Sequence, residues 1–151
     1  MSDMQELQSV IAQAMLGAAA QECSRIEMLV NANEAVYEPY CTSFDEAGLE
    51  QSLEVPSTAV HAFIKLRKLM VTPEHGTWLS AVAIVDRDRN SFDIKYNYDR
   101  EPVWHISPGP DGDIADMERF PRPYGEIPEW HAVRKQFTEQ QWLAKFPQFA
   151  Q

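Results

Sequence analysis

The spacing of apolar and polar positions changes period several times along the chain, and each change marks an element. Met4, Leu7, Val10, Ile11, Ala14, Met15 and Ala18 recur at three- and four-residue intervals. This predicts an amphipathic helix over residues 3–20, capped by Ser2 or Asp3 and weakened locally by Gly17. The period then drops to two. Ile26, Met28 and Val30 alternate with Glu27 and Leu29, "NANE" supplies turn chemistry, and residues 36–44 form the returning strand. Pro39 places part of that strand at an edge or bulge. An acidic connector, "DEAGLEQSLEVPS", adds a short third strand near 52–55.

Helical spacing returns after Pro56. Val60, Phe63, Ile64, Leu66, Leu69 and Met70 make the apolar stripe and Lys65, Arg67 and Lys68 the wet side, until Pro73 and Gly76 break the helix. "TWLSAVAIVD" is nearly all apolar and reads as a central strand buried on both faces. "RDRN" turns the chain into "SFDIKYNYD", a second alternating strand. Phe92, Ile94, Tyr96 and Tyr98 are expected to face helices, and Asp93, Lys95, Asn97 and Asp99 to face water or a partner.

Six of the ten prolines fall between residues 100 and 128, which predicts an extended, turn-rich stretch. Two short helices are expected at 128–137 and 138–146, the second opened by a capping box of Thr138 and Gln141. Trp130, Val133, Phe137, Trp142, Leu143 and Phe146 provide their apolar faces.

The order is α-β-β-(β)-α-β-β, then a Pro-rich segment and C-terminal helices. Hairpin-paired strands imply an α+β fold, an antiparallel sheet of four to five strands with helices packed on one face. With 151 residues the expectation is one domain: a core over 1–99, an extended segment over 100–128, and helices over 129–151 docking on the core.

Charge adds a direction to this picture. The net charge is −10, and residues 1–60 hold ten acids against one base, Arg25. Such a field repels nucleic acid and anionic membranes and attracts cationic surfaces. No run approaches the about 20 apolar residues of a membrane span, and "MSDMQELQSV" lacks the positive start of a signal peptide. Cys23 and Cys41 read as reduced, half-buried thiols of a cytoplasmic protein.

Motifs for chemistry are sparse. His61, His75, His105 and His131 show no metal-pair spacing, and the six glycines form no phosphate loop. Cys41 with His105 has no local support as a nucleophile and base. Asp86 with Asp88, and Asp93 with Asp99 and Glu101, are the carboxylates a hydrolase would use. Tyr37 and Tyr40 among Glu34, Glu38, Asp45 and Glu46 combine aromatic anchors with acids, the composition of an interface for a basic protein. Trp104, following Tyr96, Tyr98, Asp99 and Glu101, repeats that combination, although alternation alone accounts for the two tyrosines.

The stretch "GTWLSAVAIVDRDRNSFDIKYNYD" resembles the signature hairpin of the YezG-like (DUF600) immunity proteins of bacterial polymorphic toxin systems. The matching positions are Trp78, Phe92, Ile94, Tyr96, Tyr98 and Asp99. The likeness covers residues 76–100 in motif and 4–104 in organisation. It implies a small cytoplasmic antitoxin that binds the toxic domain of a secreted effector, often a nuclease, with no catalytic residues or cofactor of its own.

The combined expectation is a non-enzymatic, monomeric immunity protein binding one-to-one to a toxin with a basic surface. Neither nucleic acid, membrane, metal nor cofactor is expected to take part. The expected contact residues are Glu27, Glu34, Tyr37, Glu38, Tyr40, Asp45 and Glu46, supplemented by Asp93, Asp99 and Glu101. The alternatives are a small acidic secretion chaperone or adaptor and, less favoured, a carboxylate-dependent hydrolase.

Overall fold

A computed structural model describes residues 2–150. The segments read as strands become five: β1 (Arg25–Ala32), β2 (Tyr37–Phe44), β3 (Glu50–Leu53), β4 (Ser80–Asp86) and β5 (Ser91–Asn97). They form one antiparallel sheet in the order β3-β2-β1-β4-β5, so the α+β expectation holds. The helices are α1 (Asp3–Ala18), α2 (Ser57–Leu69), α3 (Pro110–Arg119), α4 (Ala132–Gln136) and α5 (Glu139–Lys145). None of the described helices is long and apolar enough to cross a membrane.

Compactness does not follow chain order. One unit comprises the residues up to Val30, Pro39–Leu69 and Ser80–Tyr96. The other comprises Asn31–Glu38, Met70–Leu79 and the residues from Asn97 onward.

In the first unit, Ser2 opens α1 with a reciprocal cap. Its hydroxyl accepts from the Gln5 N–H at 3.2 Å, and the Gln5 side chain accepts from the Ser2 N–H at 3.0 Å. α1 packs on α2 and on β4. Ile11 and Met15 are fully buried there, as are Ile26 and Met28 of β1 and Ala83 of β4. The Tyr96 hydroxyl accepts from the Gln8 side chain of α1 at 3.1 Å, which places the aromatic side of β5 toward the helices as expected.

Three expectations shift. β4 is not buried on both faces: Ala81, Ala83 and Val85 are inside, while Val82 and Ile84 are half-exposed. An antiparallel sheet covered by helices on one side leaves its second face open, whatever the hydropathy of the strand. The buried stripe of α2 runs through Ala59, Ala62, Phe63, Leu66 and Arg67, and Leu69 is 47% exposed. Arg67 follows Phe63 by one turn and shares its face, so the whole side chain, 1% exposed, is buried where the wet side was expected. The third strand begins at Glu50, earlier than predicted, because the acidic connector is a tight hairpin. One Asp45 carboxylate oxygen accepts from the N–H groups of Ala47 and Leu49, both at 2.9 Å, and Gly48 takes a φ of +82°.

The second unit holds the turn between β1 and β2, where the Asn33 side-chain oxygen accepts from Ala35 and Val36 at 2.8 and 2.9 Å. Its core is Met117, Ile127, Val133 and Trp142, with Tyr124, Phe137, Phe146 and Phe149 against it. Trp142 lies 4.6 Å from the Phe146 ring and 5.6 Å from Phe137, and Thr138 and Gln141 form the predicted capping box of α5. The Pro-rich stretch is not extended throughout, for it contains α3. Pro110 starts that helix, Asp111 and Asp113 favour its first turn and Arg119 its last, so the prolines mark its entry rather than its absence. α4 is shorter than predicted because His131 caps it: the imidazole Nδ1 accepts from the Val133 N–H at 3.1 Å. Gly76 has a φ of +57°, and a Cβ there would lie 2.6 Å from the Phe120 carbonyl oxygen, so this breaker is also a point of close approach.

Candidate functional site

Two arrangements carry chemistry, and each lies within one unit. In the first unit, alternation separates the sheet faces. Ile26, Met28, Cys41, Ser43, Ala81, Ala83 and Val85 are buried. Glu27 and Leu29 of β1, Tyr40 and Thr42 of β2, Val82 and Ile84 of β4, and Asp93 and Lys95 of β5 take the opposite face, half-buried or exposed. The Arg25 guanidinium sits 4.3 Å above the Phe44 ring on that face and pairs with Glu27 at 2.8 Å. The result is an aliphatic centre with an exposed tyrosine and charges around it.

The second unit is organised by two polar anchors, one buried and one half-buried. The Arg122 side chain is 2% exposed. It donates to the carbonyls of Tyr98 at 2.7 Å and of Thr77 and Glu126 at 3.3 Å, and to the Asp99 carboxylate at 3.2 Å. Burial pushes its pKa down, and the Asp99 charge opposes that. Burial likewise raises the Tyr98 phenol beside it, against the pull of Arg122. Tyr98 lies beyond β5, with its ring centroid 5.9 Å from the guanidinium.

The other anchor is Glu38. One carboxylate oxygen accepts from the His105 N–H at 2.8 Å and the other from the Ile106 N–H at 3.0 Å. Asn31 donates to the Val103 carbonyl at 3.0 Å. Trp104 is thus pinned on both sides, while Val103 and Ile106 are 88% and 73% exposed. Glu38→Ala is expected to free this strap. Loss of two charge-assisted hydrogen bonds should lower stability by about 2 kcal/mol and raise amide hydrogen exchange at His105 and Ile106 while leaving α1 and α2 unchanged.

The expected contact residues divide by what their side chains do. Glu27, Tyr40 and Asp93 are brought onto one sheet face. Glu34 pairs with Arg119 at 2.8 Å, Glu38 holds the strap, Asp45 builds its turn and Asp99 pairs with Arg122. Tyr37 is half-buried, and Glu46 and Glu101 are exposed. Of the hydrolase carboxylates, Asp86 caps its own hairpin by accepting from the Arg89 N–H at 3.1 Å, and Asp88 is exposed.

Cys23 and Cys41 are free and more buried than expected, and burial pushes the Cys41 thiol up, away from nucleophilic reactivity. Among the described residues, no group of three His, Cys, Asp or Glu side chains is placed to hold a metal ion.

A recess of about 580 Å³ between the end of α1 and the start of α2 is open, and its polar lining is Glu54, Ser57 and Thr58. A smaller cavity of about 220 Å³ in the second unit is lined by Trp104 and Trp130. Trp130 was expected only as a docking face, and Arg122 had no expected role. The one local signal for Arg122 is an arginine between two prolines, "PRP", where the backbone is stiff but nothing foretells burial. The chain matches none of the protein-family models or curated proteins with which it was compared.

Proposed function

We propose that this protein is an immunity protein, a cytoplasmic antitoxin that binds one-to-one to a cognate toxin with a basic surface and blocks it without chemistry of its own. The observation that carries this reading is the gathering of Glu27, Tyr40 and Asp93 around half-exposed Leu29, Val82 and Ile84 on one face of the sheet. An apolar centre with an aromatic anchor and a charged rim is how a tight protein interface is built. The net charge of −10 would steer a nuclease-like basic cleft toward it.

The test is to express the C-terminal domain of any secreted protein encoded next to this chain and measure its association with the chain, followed by stopped flow at rising salt. The on-rate is expected to fall at least about tenfold between low and high ionic strength. The double reversal Glu27→Lys with Asp93→Lys should slow association by a similar factor, with little change in thermal stability. An on-rate indifferent to both salt and the reversal would refute the reading. So would failure of co-expression to relieve the toxicity.

A further inference from the structure

The cavity between Trp104 and Trp130 has features the sheet face lacks. Glu101 and Asp113 bring two carboxylates to its lining, against one cation, Lys135. Pro108 and Pro110 stiffen the wall between them. At about 220 Å³ it is smaller than the roughly 300–1,000 Å³ of a small-molecule pocket. Its size suits one side chain.

The backbone on either side of Trp104 and the indole of Trp130 are held before anything binds. Trp104 sits between the Val103 carbonyl, which accepts from Asn31, and the His105 N–H, which donates to Glu38. The Trp130 indole N–H donates to the Asp99 carbonyl at 2.8 Å, and Asp99 is in turn held by Arg122. Asp113 accepts from the Asn33 side chain at 3.2 Å, which fixes its carboxylate at the start of α3. Little ordering remains to be done on binding.

We infer that this cavity is a receptor for an arginine side chain of a protein partner. Two indoles attract a cation through their π systems, and a planar guanidinium can stack on an indole while its fork meets a carboxylate. A lysine ammonium is more strongly hydrated and lacks the fork, so it fits less well. Exposed Val103 and Ile106 on the same strap would cover the apolar stem and neighbours of the incoming residue. The inference deepens the proposed function by giving the basic partner a specific anchor, and it rests on that reading only for the source of the arginine.

The experiment uses the full chain and N-acetyl-arginine amide, with the indole N–H signals of its four tryptophans followed by NMR. Trp78 and Trp142 are fully buried away from this cavity's lining and serve as internal references. The expected result is a saturable shift of the Trp104 and Trp130 signals in the millimolar range, weaker with N-acetyl-lysine amide and absent with the uncharged citrulline analogue. Glu101→Gln should weaken binding by about fivefold, and Trp104→Phe, which keeps a ring in place, by a smaller factor. Lys135→Gln should tighten it roughly twofold. No shift at Trp104 and Trp130, equal shifts with the citrulline or lysine analogue, or indifference to Glu101→Gln and Lys135→Gln would overturn the inference. Because the probe is a single amino acid derivative, failure here leaves toxin binding through the sheet face standing. Failure of toxin binding likewise leaves a measured arginine site intact.

Discussion

Replacing Arg122 with methionine is expected to cost about 3–5 kcal/mol, the scale for removing one partner from a buried polar network. The volume is nearly kept, so the loss is not a cavity effect. What disappears is a set of donors. The carbonyls of Thr77, Tyr98 and Glu126 and the Asp99 carboxylate all accept from this one guanidinium. Three separated stretches of chain therefore converge on a side chain that is 2% exposed. The Arg122 backbone adds a fourth link, since its carbonyl accepts from the Trp142 indole N–H at 2.8 Å. Methionine would leave that link and abolish the rest. Urea unfolding should show a lower midpoint in the transition that reports Trp142. Arg122→Lys should recover part of the loss, because a single ammonium keeps the charge but cannot span acceptors set around a planar fork. If Arg122→Met unfolded at the wild-type midpoint, the guanidinium would not be the organiser of this unit.

The same residue shows what the sequence could and could not say. Alternation in "RIEMLV" and "SFDIKYN" was enough for their strands, because one face of each must be buried and the side-chain period is two, whereas "SAVAIVD" announced a strand by its short apolar run and hid which face stays open. Capping chemistry found α5 for an equally local reason. Arg122, Glu38 and Asn31 were beyond reach, since their roles are set by carbonyls and N–H groups tens of residues away in the chain. The error on Arg67 has a different origin. Its polarity was weighed above its place one turn after Phe63.

Charge was legible as a total and misleading as a map. Counted along the chain, Glu34, Glu38 and Asp45 belong to one acidic run near two tyrosines. In the fold, Glu34 meets Arg119, Glu38 fastens the strap and Asp45 closes a turn. Acids spent on the fold's own donors have less field to offer a partner. Glu27 and Asp113 are shared with Arg25 and Asn33, so the exposed acids, Asp93 on the sheet and Glu101 at the Trp104 cavity, supply most of the field on which the proposals rest. Sequence proximity had put them in second place.

Acid should weaken the second unit through His131. Its side chain is 1% exposed, and its Nδ1 is already used as an acceptor for the Val133 N–H. Burial first, and the positive charge of Arg122 second, push its pKa down from 6.5 to about 4. The folded state thus resists a proton that the unfolded chain takes readily. Stability is fully present above the unfolded value of 6.5, falls as the pH drops toward about 4, and levels off below it. The loss across that window is about 3 kcal/mol. His131→Asn keeps a side-chain acceptor suited to a helix N-cap and removes the titration. Its stability should therefore depend less on pH between 7 and 4 than the wild type by about that amount, as measured by urea midpoints at stepped pH. Arg122→Met adds a second check. With the guanidinium gone, the His131 midpoint, followed by NMR of its ring proton, should rise from about 4 while burial still holds it below 6.5. A wild-type midpoint near 6.5 would mean that the imidazole is protonated without cost, and the acid sensitivity would then have to come from other groups.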